Sequence, residues 1–161
     1  DGRVRADAVA LAKAMRGAKL VAVADPGNPL GGPLHPDDRE RLVALAQRFD
    51  TLIYVDESFA RFGPAAGGLA GLPGADRRTL TAGSASAGYG LTGARVGWLA
   101  GPRHLVRPAA LAATLAGPYV PTACQQLAVR ALEADENEAA SAGLRDEFAA
   151  RNVPVPAGLD R

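Results

Sequence analysis

The sequence predicts an α/β fold, and two observations carry that prediction. Short apolar runs alternate along the chain with segments of helical hydrophobic period. One run, 19–24 (Lys-Leu-Val-Ala-Val-Ala), is nearly continuous, as expected of a strand covered on both faces. The length of 161 residues fits a single domain. A chain of that size buries roughly 68–70% of its unfolded surface.

The elements follow in chain order. Residues 7–16 read as a helix with Val9, Leu11 and Ala12 on its apolar side, closed by Gly17 as a C-terminal cap. The run 19–24 is the first strand, broken by the dense turn cluster Asp-Pro-Gly-Asn-Pro-Leu-Gly-Gly-Pro at 25–33. Pro36 suits the first turn of a second helix, Asp37 and Asp38 suit its N-terminal dipole, and Leu42, Leu45 and Ala46 carry it to Phe49. Residues 51–55 form the next buried strand and deliver Asp56 and Glu57 at its C-terminal end. The stretch 63–74, rich in Gly, Ala and Pro, reads as a surface loop. Residues 79–82 make a short strand leading into Ser84, and 95–100 make another. Helices are expected at 102–115 and 122–133, parted by Gly117-Pro118, and again at 139–150 after a charged break at 135–138. The proline-rich end, 153–161, reads as frayed.

Composition narrows the function classes. With 48% hydrophobic and 22% charged residues the chain is an ordinary soluble globular sequence. Only 5% is aromatic while Ala, Gly and Val abound, so a core of small side chains is expected. A net charge of +1 gives no electrostatic case for nucleic acid or an anionic membrane as a partner. The single cysteine, Cys124, excludes an intrachain disulfide and sits on an apolar helical face, where a small buried hydrophobe is expected. No run of 18 apolar residues and no charged-then-apolar leader occurs, so the expected location is cytoplasmic. His35 and His104 stand at helix starts and read as surface or capping residues. They are too few for a metal site or a hydrolytic triad, so no metal is expected.

Three places hold residues able to do chemistry: Asn28 in the turn 25–33, the strand-end pair Asp56-Glu57 with Ser58-Phe59, and the segment 84–98. That segment reads Ser-Ala-Ser-Ala-Gly-Tyr-Gly-Leu-Thr-Gly-Ala-Arg-Val-Gly-Trp. Taken alone, the turn is an ordinary Asn-Pro loop. An acidic pair after a strand is a capped loop or a Mg2+-type ligand, and Arg95 is a surface or ion-pair residue.

Jointly they resemble the fold-type I, pyridoxal-phosphate-dependent aminotransferases of class I/II, in the manner of histidinol-phosphate aminotransferase. The segment 84–98 is similar to the family's Ser-x-Ser-Lys followed by Gly-x-Arg-x-Gly-aromatic, and 25–31 is similar to its Asn-Pro-x-Asn-Pro-Thr-Gly turn. Residues 56–59 are similar to its Asp-Glu-Ala-Tyr. Order and separation match. Within 84–98 the chain departs at one marker: Ala87 stands where the family carries the lysine that bonds the cofactor, and a Schiff base needs a primary amine. The two lysines, Lys13 and Lys19, both precede the site, and none follows. Phe59 is a second departure, since it lacks the hydroxyl of the family tyrosine.

The resemblance implies a role for each residue. Asn28 would donate its amide N–H to the cofactor's phenolic oxygen, beside Phe59. Asp56 would pair with the protonated pyridine nitrogen and keep the ring an electron sink. Ser84, Ser86 and Arg95 would hold the phosphate, the guanidinium fork matching two of its oxygens. It also implies a three-layer α/β/α domain around a mostly parallel sheet, with 95–100 as the antiparallel member. Residues 1–134 would be a partial cofactor-binding large domain, and 135–161 the start of a small domain or a tail.

A family member runs to more than twice this length, and its front half would supply the phosphate loop and the ring-stacking aromatic. The implied ligand is pyridoxal 5′-phosphate, bound non-covalently or through an external aldimine, with an amino acid or amine as substrate. The readings left open are an aminotransferase site without its lysine, a pseudoenzyme serving as a binding or assembly module, and half of a split enzyme. The implied partner is a second copy, as in a homodimer, or a complementing polypeptide.

Overall fold

The computed structural model describes residues 5–62, 67–117 and 119–134, together with 142, 143, 146, 147, 150 and 151. The expected unit 135–161, with its helix at 139–150 and its proline-rich end, lies outside the described residues except for those six.

Helix α1 (Ala8–Met15) begins at Asp7, whose carboxylate accepts the N–H groups of Val9 and Ala10. Gly17, at φ 81°, turns the chain into strand β1 (Leu20–Ala24). Helix α2 (Pro36–Phe49) is capped by His35, whose Nδ1 accepts the Asp37 N–H at 3.3 Å, which is the capping role expected of that histidine. Strand β2 (Leu52–Asp56) and strand β3 (Thr79–Ser84) follow, then the one-turn helix α3 (Ala85–Gly88) and strand β4 (Gly97–Ala100). Helices α4 (Arg103–Ala116) and α5 (Thr122–Ala134) close the described chain. Short 3₁₀ turns lie at Ala60–Phe62, Leu69–Gly71 and Thr92–Ala94.

The four strands form one sheet in the order β1-β2-β3-β4. The first three are parallel, with Ala24 opposite Asp56 and Asp56 opposite Ala82. Strand β4 runs antiparallel, Ser84 facing Gly97, so the expected mostly parallel sheet with one reversed strand is present. Alternation along β2 sends Ile53 and Val55 to one face, where they pack with Met15 of α1 and with Leu42, Val43 and Ala46 of α2. Helices α1 and α2 are joined by Asp38, which accepts the Ala6 N–H at 3.0 Å and pairs with Arg5 and Arg41. That hydrogen bond, aided by Arg5, Arg41 and His35, holds the Asp38 carboxyl below the usual range against the opposing effect of burial.

Three expectations need correction. Strand β1 is not covered on both faces: Val21 and Val23 pack against the core, while Leu20, 52% exposed, and Ala22 alternate onto the other face, which is open. The stretch 63–74 is not simply a surface loop. Residues 63–66 lie outside the described residues, but Leu69 is fully buried and joins the core on a 3₁₀ turn. The core is rich in small side chains as expected, with Val43, Ala46, Val55, Ala75, Ala85, Ala94 and Ala128 buried beside the larger Met15, Leu42, Ile53 and Leu69. Cys124 is half-buried. Among the described residues, no helix is long and apolar enough to cross a membrane, and no cluster of His, Cys, Asp and Glu could hold a metal ion.

Candidate functional site

Three parallel strands present their C-terminal ends at one end of a sheet, and a reversed fourth strand begins there. This topology brings the sequence-predicted residues together. Asn28 lies in the loop after β1, Asp56 is the last residue of β2, and Ser84 is the last of β3. Arg95 stands two residues before β4. The crevice beyond the carboxyl ends of parallel strands is where ligands bind in open α/β sheets.

The segment between β3 and β4 folds back on itself. The Ser84 hydroxyl accepts the Ser86 N–H at 3.0 Å and so caps α3. The Ala85 N–H reaches Val96 O at 3.0 Å, and the Leu91 N–H reaches Ala85 O at 3.2 Å. Arg95 takes a left-handed backbone (φ 53°) at the end of the Thr92–Ala94 turn. Its Nη1 donates to Thr92 O at 3.3 Å and lies 3.5 Å from Ser86 Oγ. A cation and two hydroxyls, with Arg95 exposed and both serines half-buried, make an anion-facing set. Ala87 sits in the middle of α3, half-buried, with only a methyl group to offer.

Asn28 and Phe59 line one pocket of about 300 Å³ with Pro26, Gly27, Pro29, Gly31 and Phe62. The side chains of Asn28 and Phe59 are exposed, and the Phe59 and Phe62 rings stand 6.3 Å apart. The Asp56 carboxylate accepts the Ser58 N–H at 2.9 Å and is half-buried, which leaves its other oxygen open to a partner.

Sequence reasoning missed three further features. Asp25 and Arg39 form a buried ion pair at 3.1 Å beneath the Asn28 loop. Arg61 stacks on Tyr89, its guanidinium carbon 4.1 Å from the ring centroid, and also donates to the Tyr89 hydroxyl. Its side chain covers Gly88, where an added Cβ would lie 2.6 Å from Arg61 Cδ. Glu57 accepts the Leu69 N–H at 3.2 Å, and its partial burial raises its carboxyl above the ordinary value in spite of that bond and of Arg39. A signal existed for Arg39: it shares the stripe 39, 42, 43, 46 with the buried residues of α2, where a charge requires a partner.

Comparison with known proteins identifies the family of this fold. The family model for aminotransferase class I and II matches residues 3–159. A probable N-succinyldiaminopimelate aminotransferase of Mycobacterium tuberculosis is 32% identical over 169 residues, covering 99% of this chain and 41% of that protein. A histidinol-phosphate aminotransferase of Stenotrophomonas maltophilia is 36% identical over 137 residues, covering 83% of this chain and 36% of its own length. The solved N-succinyldiaminopimelate aminotransferase of Mycobacterium tuberculosis superposes with a TM-score of 0.83 at 29% identity, covering 94% of this chain and 40% of that one. The chain thus spans less than half the length of each of these relatives.

Proposed function

The chain belongs to the class I and II aminotransferases, and from that premise we propose that it forms the sheet-end half of a pyridoxal 5′-phosphate site for an amino acid or amine, without the anchoring lysine. The observation that carries this reading is the placement of Asn28, Asp56, Ser84, Ser86 and Arg95 on the strand ends and loops at one end of the sheet, with residue 87 of the same segment carrying no amine.

The donor set fits a phosphorylated pyridine held without a covalent bond. Arg95 beside Ser86 and Ser84 offers a guanidinium and two hydroxyls to a phosphate dianion. Asp56, one carboxylate oxygen already engaged by Ser58 N–H, would hold a proton at a ring nitrogen through the other. Asn28 would donate an N–H to a ring oxygen from an open pocket that it lines with Phe59, Phe62 and two prolines. Phe59 would contribute packing and no hydrogen bond. The cofactor of this family supplies an electron-withdrawing ring that delocalises negative charge from the substrate's α-carbon. At that carbon a base must move a proton, and Ala87 can do neither that nor amine exchange.

Two departures on cofactor-facing positions, Ala87 and Phe59, favour a second reading: a pseudoenzyme that keeps the ligand pocket as a binding or assembly module. In a third reading a second copy or a complementing polypeptide supplies the amine that Ala87 lacks.

The experiment is borohydride reduction and mass spectrometry of the chain and its Ala87→Lys variant, each equilibrated with pyridoxal 5′-phosphate. The expected result is a reducible adduct at residue 87 in the variant and none at 87 in the parent, with weak turnover in both. An Ala87→Lys protein with no adduct at 87 would overturn the site, and full turnover would overturn the need for a completing partner.

A further inference from the structure

We propose that Arg39 is a positioning residue that fixes the turn carrying Asn28, acting through its buried pair with Asp25. The proposal deepens the cofactor-site reading above and rests on it for the role of Asn28.

The ion pair is built into the fold. The side chains of Arg39 and Asp25 are 9% and 6% exposed, and Nε lies 3.1 Å from Oδ2. The other carboxylate oxygen, Oδ1, accepts the Leu34 N–H at 2.9 Å, so one side chain joins the first and last residues of the loop 25–34. Inside that clasp the Gly27 N–H reaches Gly32 O at 2.8 Å, and the Gly31 N–H reaches Gly27 O at 2.6 Å. Arg39 also donates through Nη2 to Gly67 O at 2.6 Å. One guanidinium therefore ties helix α2 to the Asn28 turn and to the segment entering the Leu69 turn.

Asn28 is exposed, and its place is that of the turn itself. A turn held only by its glycine amides would sample several geometries, because Gly27, Gly31 and Gly32 all permit wide backbone freedom. Asp25 can restrict them only while its carboxylate is held in one rotamer. Burial makes Arg39 the group that does so, since an unpaired carboxylate would not stay in that environment. Arg39 thus acts on the ligand-facing amide without touching a ligand.

The test pairs hydrogen exchange with ligand binding, using the chain as it exists, Arg39→Met, Asp25→Asn and the conservative Arg39→Lys. Asp25→Asn is isosteric and keeps the acceptor for Leu34, so the experiment stays decisive if Arg39→Met does not fold. In Asp25→Asn and Arg39→Met, the amides of Gly27, Gly31 and Leu34 should exchange about tenfold faster while those of Ile53 and Val55 keep their protection. Arg39→Lys should restore most of the turn's protection. Affinity for pyridoxamine 5′-phosphate should fall about tenfold in Asp25→Asn, yet by less than about twofold when Asn28→Ala is already present. Additive losses in the Asn28→Ala background, or faster exchange spread evenly over β2, would overturn the proposal. If the parent chain binds no pyridoxamine 5′-phosphate, the cofactor reading falls, and the exchange arm alone decides whether Arg39 fixes the turn.

Discussion

Arg95 combines two demands at one residue, a left-handed backbone (φ 53°) and a guanidinium beside Ser86. Non-glycine residues adopt that backbone at a cost of roughly 1 kcal/mol or more, and glycine adopts it freely. Arg95→Gly should therefore be more stable than Arg95→Ala by about 1 kcal/mol in urea unfolding, while both lose affinity for inorganic phosphate and for pyridoxal 5′-phosphate alike. Equal stability of the two would show that the turn relaxes away from the left-handed region. Glu57 poses a different trade. Burial raises its carboxyl above the ordinary carboxylate value, so the folded chain takes up a proton at a higher pH than the unfolded chain. The ionised form consequently costs stability at neutral pH, and this cost is relieved as the pH falls through the raised value. Relative to Glu57→Gln, the parent should gain stability across that interval and stop gaining below the unfolded value, read from unfolding midpoints on a pH series. A difference that is flat with pH would refute the assignment.

At the scale of elements, Gly83 shows why a strand position is fixed by its neighbour across the ladder. A Cβ on Gly83 would lie 2.2 Å from Trp98 Nε1, because the indole crosses β3 where its register partner lacks a side chain. Gly83→Ala should push the indole into solvent and cost about 1–3 kcal/mol. Trp98 is the chain's one tryptophan, so red-shifted emission reads that displacement directly, and unchanged emission would count against it. The elements themselves were largely legible in the sequence. Asp7, Gly17 and Pro36 mark helix ends by local backbone chemistry, and the alternation of Ile53 and Val55 follows from the two-residue period of a strand. Family spacing names 28, 56, 84 and 95 as candidates, and the parallel topology places these positions at one end of the sheet. Leu69 was not legible: its neighbours are Gly, Ala and Pro, and its burial is decided by Glu57 capturing its N–H from 12 residues away. The Arg61–Tyr89 stack was hidden for the same reason, since it joins residues 28 positions apart on two turns without periodicity.

At the scale of the whole molecule, the described surface is most apolar along α4 and α5. Helix α4 buries none of its described residues, and Leu111 and Leu115 are 68% and 87% exposed. Apolar area of this kind drives association in water. The isolated chain should bind a hydrophobic dye and sediment with a concentration-dependent mass, and Leu111→Gln with Leu115→Gln should lower both while moving the unfolding midpoint little. Undiminished self-association in that variant would place the contact elsewhere. The sheet carries a consequence of another sort. Its spatial order, β1-β2-β3-β4, is also its order along the chain. During synthesis each strand therefore emerges beside a template already made, and no strand waits for a later one to open a gap for it. By the time residue 100 has been added, all four described strands and the candidate positions 28, 56, 84, 86 and 95 have been translated. Helices α4 and α5 arrive afterwards, and α5 then settles against the Thr92–Ala94 turn of a framework already in place.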